Sequence, residues 1–306
     1  MLSEIFYWIL NISIIGSVAG LIILGLRKIK KLPKFTVYLL WAVPLLRFWI
    51  PFGIANEYSL LNLISKFTTK TVVIWGDVPK LPEFTMSNYI MGANGYFPIE
   101  YKTNILENIF SIASVIWVII ACAAILTSIL LYFFTKSELR TAIHIKNNIY
   151  KSDKISAPAV YGVICPKIII PAALADGDID YIIMHENVHI KRKDNLFRVI
   201  AIITACVHWF NPLSWIFLKC FFSDMELACD AKVLKRLGKE QTKDYAAAIL
   251  SCAAGKTFFA SAFGGAKTRV RIENILSYKK LTVLSSIFFA VLILTIVIVL
   301  ITNAAI

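Results

Sequence analysis

Apolar residues in this chain gather into runs long enough to cross a bilayer, with polar stretches between them. Ile5 to Leu26 is the first run; only Glu4 precedes it as a charge, and Arg27, Lys28, Lys30, Lys31 and Lys34 follow. A cleaved leader carries its basic residues before the apolar core. The order here predicts an uncleaved span with its N-terminus outside and its basic turn inside. Thr36 to Ala55 predicts a second span that contains Pro44, Arg47 and Pro51. Arg47 lies near the outer end and is expected to snorkel to the headgroups. Ile105 to Phe134 predicts a third span, running inward, with Lys136 and Arg140 after it. Leu281 to Thr302 predicts a fourth, anchored by Lys279 and Lys280 and followed by a short outer tail.

The segments between the spans differ in character. Asn56 to Tyr101 mixes both charge signs, as an outer segment should. Its Leu60, Leu61, Ile64 and Phe67 recur at helical spacing, which fits a helix lying on the outer leaflet. The inner segment shows shorter periods. Thr141 to Ile145 alternates weakly, as a strand does. Ala159 to Gly162 and Lys167 to Ile170, split by Cys165-Pro166, predict a small hairpin. Asp176-Gly177-Asp178 supplies capping residues for a helix running to about Ile190.

Leu196 to Phe222 is apolar enough to be a span, yet it holds Arg198, His208, Asn211, Pro212 and Lys219. A fold-back at Asn211-Pro212 would pair Asp194 to Trp209 with Pro212 to Leu227, each about 24 Å long as a helix. A crossing would instead carry everything after Phe222 about 30 Å away, to the far side of the bilayer.

Composition agrees with the pattern. The chain is 58% hydrophobic with a mean hydropathy of +0.71, above the half-apolar level of soluble domains. Its net charge is +13. Basic residues concentrate between Lys136 and Lys280 and in the first turn, so the positive-inside rule accounts for the excess. Anionic lipid is the expected partner, and direct nucleic-acid binding is not. The six cysteines show no C-x-x-C spacing, and reduced, mostly buried thiols are expected.

The chemistry centres on His185-Glu186-Asn187-Val188-His189. On a helix, positions i and i+4 share a face, so His185 and His189 can offer imidazoles to one metal ion. Zinc lowers the pKa of a bound water to about 7, and Glu186 can take its proton. A catalytic zinc site needs a third protein ligand and one open position. With the fold-back, Glu226 returns beside His189 and is the expected third ligand. Asp230, one turn on, is expected to accept a hydrogen bond from a ligating imidazole. His208 would lie far from His189 and is expected to be a satisfied polar group near the turn.

At these residues the chain resembles the metallopeptidase domain of bacterial β-lactam sensor-transducers, the membrane proteases behind inducible penicillin and methicillin resistance. The resemblance is carried by Pro158-Ala159-Val160-Tyr161-Gly162, by Pro166 to Pro171, by His185 to Asp194, by Trp209-Phe210-Asn211-Pro212 and by Glu226-Leu227-Ala228-Cys229-Asp230. It implies a gluzincin-like zinc protease with one Zn2+ per chain, held by His185, His189 and Glu226, with Glu186 as general base. It implies two substrates: a cytoplasmic winged-helix repressor of resistance genes, and the chain itself. Self-cleavage is expected in the Gly- and Ser-containing stretch before the last span, with Ser261, Ala262 and Phe263 at its centre. Known members continue past the last span into an outer penicillin-binding domain, and this chain is expected to lack one. The inducing signal would then enter by the outer segment, the spans or a partner.

The whole predicts a mainly α membrane protein. Residues 1–135 hold three spans with an outer loop at 56–104. Residues 136–280 form an inserted cytoplasmic α+β metallopeptidase domain, and residues 281–306 the fourth span and tail. Such a multi-pass protein sits in the bacterial cell membrane, and a homodimer is left open. Two other readings compete. One is an intramembrane protease, disfavoured because Asp176, Asp178 and Asp180 open the motif helix and Lys191, Arg192 and Lys193 close it. The other is a signalling scaffold with a structural zinc site and no proteolysis.

Overall fold

The computed structural model describes residues 2–29, 31–50, 54–60, 62, 104–238, 240–252, 267–279 and 282–304. The protein is mostly helical, with one small mixed sheet. Among the described residues, three helices are long and apolar enough to cross a membrane. They are α1 (Leu2–Arg27), α4 (Asn104–Glu138) and α10 (Val283–Ile301). The run expected as the second span forms two short helices, α2 (Lys34–Leu40) and α3 (Ala42–Arg47), interrupted at Trp41. Pro44 explains the break, because it has no N–H to donate to the Leu40 carbonyl four residues back and its ring crowds that carbonyl. Most of the predicted outer segment lies outside the described residues.

Arg47 does not snorkel. It is 3% exposed, and its guanidinium donates to Leu300 O at 2.8 Å and to Thr302 O at 2.6 Å. Those carbonyls end α10 and have no partner within the helix. The cation caps them, which is the stabilising polarity at a helix C-terminus. Next to it, β1 (Ala55–Asn56) pairs in parallel with β6 (Asn303–Ala304).

The stretch from Leu196 to Phe222 folds back. Helix α6 (Asp194–Val207) and helix α7 (Pro212–Arg236) are joined by a turn at His208–Asn211. Asn211 caps α7: its side chain accepts from Leu213 N at 3.0 Å, and Pro212 fills the first helical position, where no N–H is needed. The Asn211 amide also donates to Ser13 and Ser17 Oγ of α1, at 2.8 and 2.7 Å. Further along both helices, Arg27 forks onto Asp224 at 2.8 Å. Helix α7 therefore runs parallel to α1, and the hairpin tip lies about 21 Å along α1 from Arg27, at 1.5 Å per residue. Gly20 permits the close approach: a Cβ there would stand 2.2 Å from the Phe217 ring. On the other side, Trp117 of α4 donates to Val207 O at 2.8 Å.

The sheet has the order β2 (Ile143–Lys146), β3 (Ile149–Ser152), β5 (Lys167–Pro171), β4 (Ala159–Tyr161). Strands β3 and β5 are parallel, and the other neighbours antiparallel. Ile168 and Ile170 of the inner strand, with Val160 of β4, pack on Ile179, Ile183 and Ile190 of helix α5 (Asp176–Arg192). A second core, with Val188, Cys229, Val233, Tyr245 and Ile275 at its centre, joins α5 and α7 to α8 (Thr242–Cys252) and α9 (Thr268–Leu276). These two cores hold α5 between the sheet and the helices, with β4 at the free edge.

Candidate metal centre

Helix α5 carries the histidine pair. Its residues Ile179, Ile182, Ile183 and Val188 face the two cores, so the i, i+4 face with His185 and His189 is buried between α5 and α7. The helix ends at Lys193, which adopts a left-handed conformation with φ 58°. That single residue reverses the chain and opens α6 with Asp194. The carboxylate of Asp194 is thereby brought under His189, whose Nδ1 it contacts at 2.5 Å. Asp194 is fully buried and also accepts from Arg192 and from the Tyr38 hydroxyl, the latter at 3.1 Å.

His185 is held from the other side. Its Nδ1 lies 2.8 Å from the Tyr245 hydroxyl, which donates to Asp230 Oδ1 at 2.7 Å. The Tyr245 proton is therefore engaged, and His185 Nδ1–H must be the donor to the phenol oxygen. Asp230 is clamped in turn by Arg271 of α9, through Nε at 2.8 Å and Nη2 at 2.7 Å. Both histidines thus keep the proton on Nδ1 and aim the Nε2 lone pair inward.

The inward atoms converge. His185 Nε2 and His189 Nε2 are 3.1 Å apart, and Glu226 Oε2 of α7 lies 3.5 and 3.6 Å from them. Ligands at about 2.0–2.2 Å from a tetrahedral zinc stand roughly 3.3–3.5 Å apart, so this triangle has the size such an ion needs. Arg271 Nη2 stands 3.3 Å from His185 Nε2 and its Nη1 3.7 Å from Glu226 Oε2, so the protein itself sets a cation beside this triangle; the donor set, two imidazoles and a carboxylate, fits zinc chemically. Glu226 Oε1 is held at 2.7 Å by Arg198 of α6, which leaves Oε2 free to face the histidines. A second candidate donor is Cys229, whose Sγ lies within 4.8 Å of the histidine ligand atoms. Its thiol donates to His185 O at 3.4 Å and is fully buried.

The electrostatics follow from this crowding. Burial raises the pKa of Glu226, but the neighbouring His189 and His185 and the Arg271 guanidinium outweigh it and hold the carboxyl well below its usual range. Asp230 is likewise depressed, because Arg271 overcomes the penalty of burial. Burial opposes charge on His185 and His189, yet Cys229 together with Tyr245 and Asp230, or with Glu226 and Asp194, raises both well above the usual imidazole value. The field that would hold a cation also draws a proton.

Glu186 is buried in the wall of a cavity of about 780 Å³ that His185, His189 and Glu226 also line. Strand β4 and the α4 residues Ile125, Ile129 and Phe133 form its other walls. Asn195 donates to Val160 O at 3.0 Å and Gly162 O at 2.9 Å, which ties the strand to the start of α6. Ser261, Ala262 and Phe263 lie outside the described residues. The flanking Cys252 and Thr268 both line this cavity. His208 is elsewhere, buried at the hairpin tip with Nε2 3.0 Å from Phe48 O.

The structure brings together His185, His189, Glu226, Asp230 and the wall residue Glu186. Sequence reasoning missed Asp194, Arg192, Arg198, Tyr245, Arg271 and Tyr38. Only Asp194 had a signal, a carboxylate just past a helix that ends in three basic residues.

Comparison with known proteins places these features in context. The family model described as BlaR1 peptidase M56 matches residues 7–275. The regulatory protein BlaR1 of Bacillus licheniformis is 36% identical over 123 residues, which are 39% of this chain and 20% of that protein. The methicillin resistance mecR1 protein of Staphylococcus aureus is 33% identical over 105 residues, 33% of this chain and 18% of that one. The regulatory protein BlaR1 of Staphylococcus aureus is 25% identical over 210 residues, 58% of this chain and 36% of that one. The matched stretches thus span between about a fifth and a third of the relatives' own length.

Proposed function

The chain belongs to the BlaR1 peptidase M56 family, and from that membership and the site geometry we propose that it is an integral-membrane zinc endopeptidase of signal transduction. The observation that carries this is the triangle of His185 Nε2, His189 Nε2 and Glu226 Oε2, 3.1 to 3.6 Å on a side. A bound zinc would supply a Lewis acid and a water acidic enough to be deprotonated near neutral pH. His185, His189 and Glu226 would hold it. Glu186 takes a proton from the attacking water and returns it to the leaving amine as the C–N bond breaks. Asp230 with Tyr245, and Asp194 with Arg192, fix the proton on each Nδ1 and so keep both Nε2 lone pairs directed at the ion. Strand β4 at the sheet edge can pair with an extended substrate backbone, and the apolar cavity wall excludes water from its side chains.

By analogy with the relatives' names, the proposed role is in resistance regulation; the family resemblance implies a cytoplasmic winged-helix repressor as substrate. Of the window expected for self-cleavage, Ala260 to Arg271, the part before α9 is the proposed cleavage site, because Thr268 to Arg271 are helical and Arg271 is held on Asp230, whereas a tethered segment ahead of the helix has a high effective concentration at the site. Residues 136–280 would then be the cytoplasmic metallopeptidase domain and both termini would lie outside. The test is to express wild type and Glu186→Ala in membranes and analyse fragments by mass spectrometry. A fragment ending in that window from the wild type alone supports the reading; no wild-type fragment of the chain or of co-expressed repressor, with the response switched on, contradicts it.

A second reading follows from Cys229. If its sulfur closed the fourth position, the site would be a structural zinc of a signalling scaffold, without proteolysis. Cys229→Ser separates the two: the protease reading expects activity to persist, and the structural reading expects the metal to be lost.

A further inference from the structure

The metal-site histidine nearest the chain reversal is connected to a membrane segment by one side chain. Tyr38 belongs to α2, within the apolar run once expected to cross the bilayer. Its ring is held by stacking on Phe221 of α7, at 5.7 Å with 13° between planes, and by the Arg192 guanidinium over it at 4.6 Å. With the ring so held, the hydroxyl has one orientation, and it donates to Asp194 Oδ1 at 3.1 Å. The other oxygen of Asp194 accepts the His189 Nδ1 proton. Asp194 is 0% exposed, so water does not substitute for Tyr38 there.

We propose that Tyr38 is a positioning residue for the metal ligand His189, acting through Asp194, so that the seating of α2 sets how firmly the metal is held. The inference rests on the zinc-site reading above. Its physical basis is that an imidazole ligates well only when the group accepting its second N–H is itself fixed. Arg192 fixes Asp194 from α5, the element that carries His189. Tyr38 is the contact that comes from a different, membrane-packed element. A displacement of α2 relative to α7 would break the Tyr38 hydrogen bond and loosen His189 without touching the metal or the substrate cavity.

Trp41 provides a matched comparison. It follows Tyr38 on the same segment, is 1% exposed, and donates through Nε1 to Asp224 Oδ2 of α7 at 2.9 Å. The Asp224 carboxylate leads to Arg27, not to the metal site. Trp41→Phe therefore removes an equivalent buried hydrogen bond and more packing, with no chain of side-chain hydrogen bonds leading to His189.

The experiment uses the full chain in detergent or nanodiscs, loaded with zinc and titrated with a chromogenic chelator, with elution as a folded species checked for each variant. Cobalt-loaded samples give the visible spectrum as a second readout of ligand geometry. Removal of a residue that orients a metal-bound histidine weakens affinity about 10–100-fold, and Tyr38 stands one step further out, so Tyr38→Phe is expected to lose about threefold to tenfold and to shift the cobalt bands. Trp41→Phe is expected to match the wild type in both. Tyr38→Phe with wild-type affinity and spectrum overturns the inference, as does Trp41→Phe losing as much. Wild type that takes up no zinc overturns the zinc-site reading and this inference with it.

Discussion

Asp230 faces Arg271 and the Tyr245–His185 pair at once, and substitution can separate those roles. In Asp230→Asn the side chain keeps its shape but loses its charge. Arg271, whose side chain is 16% exposed, is left as a nearly buried guanidinium without its bidentate partner. Removing one member of a buried ion pair costs about 3–5 kcal/mol, and the residual exposure of Arg271 places this pair near the lower figure. The same change weakens the acceptor at the end of the His185 Nδ1 relay. Tyr245 can still donate to an asparagine carbonyl, so the loss in zinc affinity should be about tenfold, the low end for such residues. Adding Arg271→Met removes the orphaned cation. Replacement of a whole buried pair by apolar groups is often near neutral, so the double variant should recover stability to within about 1 kcal/mol of wild type. It should not recover zinc affinity, because His185 still lacks a charged acceptor. Thermal unfolding of the metal-free, solubilised chain measures the first quantity, and chelator competition the second. Because the Arg271 guanidinium also stands 3.3 Å from His185 Nε2, the reference is Arg271→Met alone: a double variant that matches it in both stability and zinc affinity would show that Asp230 serves only to neutralise Arg271, and the orienting role would be refuted.

Acid should unfold the protein through the same carboxylates. Asp230 and Asp194 have folded-state pKa values below the unfolded value of about 3.9, so their stabilisation is present above that value and is lost as pH falls through the depressed range. The metal-free melting midpoint should begin to drop below about pH 5 and keep falling below about pH 4, and Asp230→Asn should flatten the drop; equal slopes would contradict the assignment. Zinc must displace protons from His185 and His189, whose pKa values are raised. Its apparent affinity should therefore fall as pH is lowered from about 8 to 6, with proton release detectable in weak buffer. Gly20→Val would put a Cβ 2.2 Å from the Phe217 ring and should destabilise the solubilised chain by about 1–3 kcal/mol, whereas Gly25→Val, which meets no atom within 4 Å, should cost less. Equal effects would mean that α1 and α7 do not touch at Gly20.

Local features were legible in the sequence and distant pairings were not. His185 and His189 could be placed on one face because the helical repeat alone fixes their relation. The hairpin strands β4 and β5 could be read from two short apolar runs around Cys165-Pro166. Glu226 required one non-local step, the reversal at Asn211-Pro212, which matched segment lengths made readable. Asp178 misled as a cap: the residue before α5 is Ala175, with no side-chain cap, and Asp178 accepts from Ser251 of α8 instead. The run Thr36 to Ala55 was legible as apolar but not as two helices, because mean hydropathy does not register that Pro44 interrupts the helix. Tyr38, Tyr245 and Arg271 carry no local mark at all. Their partners are 156, 60 and 41 residues away in the chain, and only packing reveals them. Arg47 looked like a surface anchor since a cation among apolar residues has the same sequence signature whether it reaches water or caps a buried helix end.

The central claim is that His185, His189 and Glu226 hold the metal while Glu186 acts on water. Metal content of the purified full-length chain tests it most directly. About one zinc per chain is expected in the wild type, in Glu186→Ala and in Cys229→Ser, because three protein ligands remain in each. Glu226→Ala should lose most of the metal, since two histidines leave the site short of a protein ligand. Zinc content in Glu226→Ala equal to that of the wild type, or its loss in Cys229→Ser, would contradict the account.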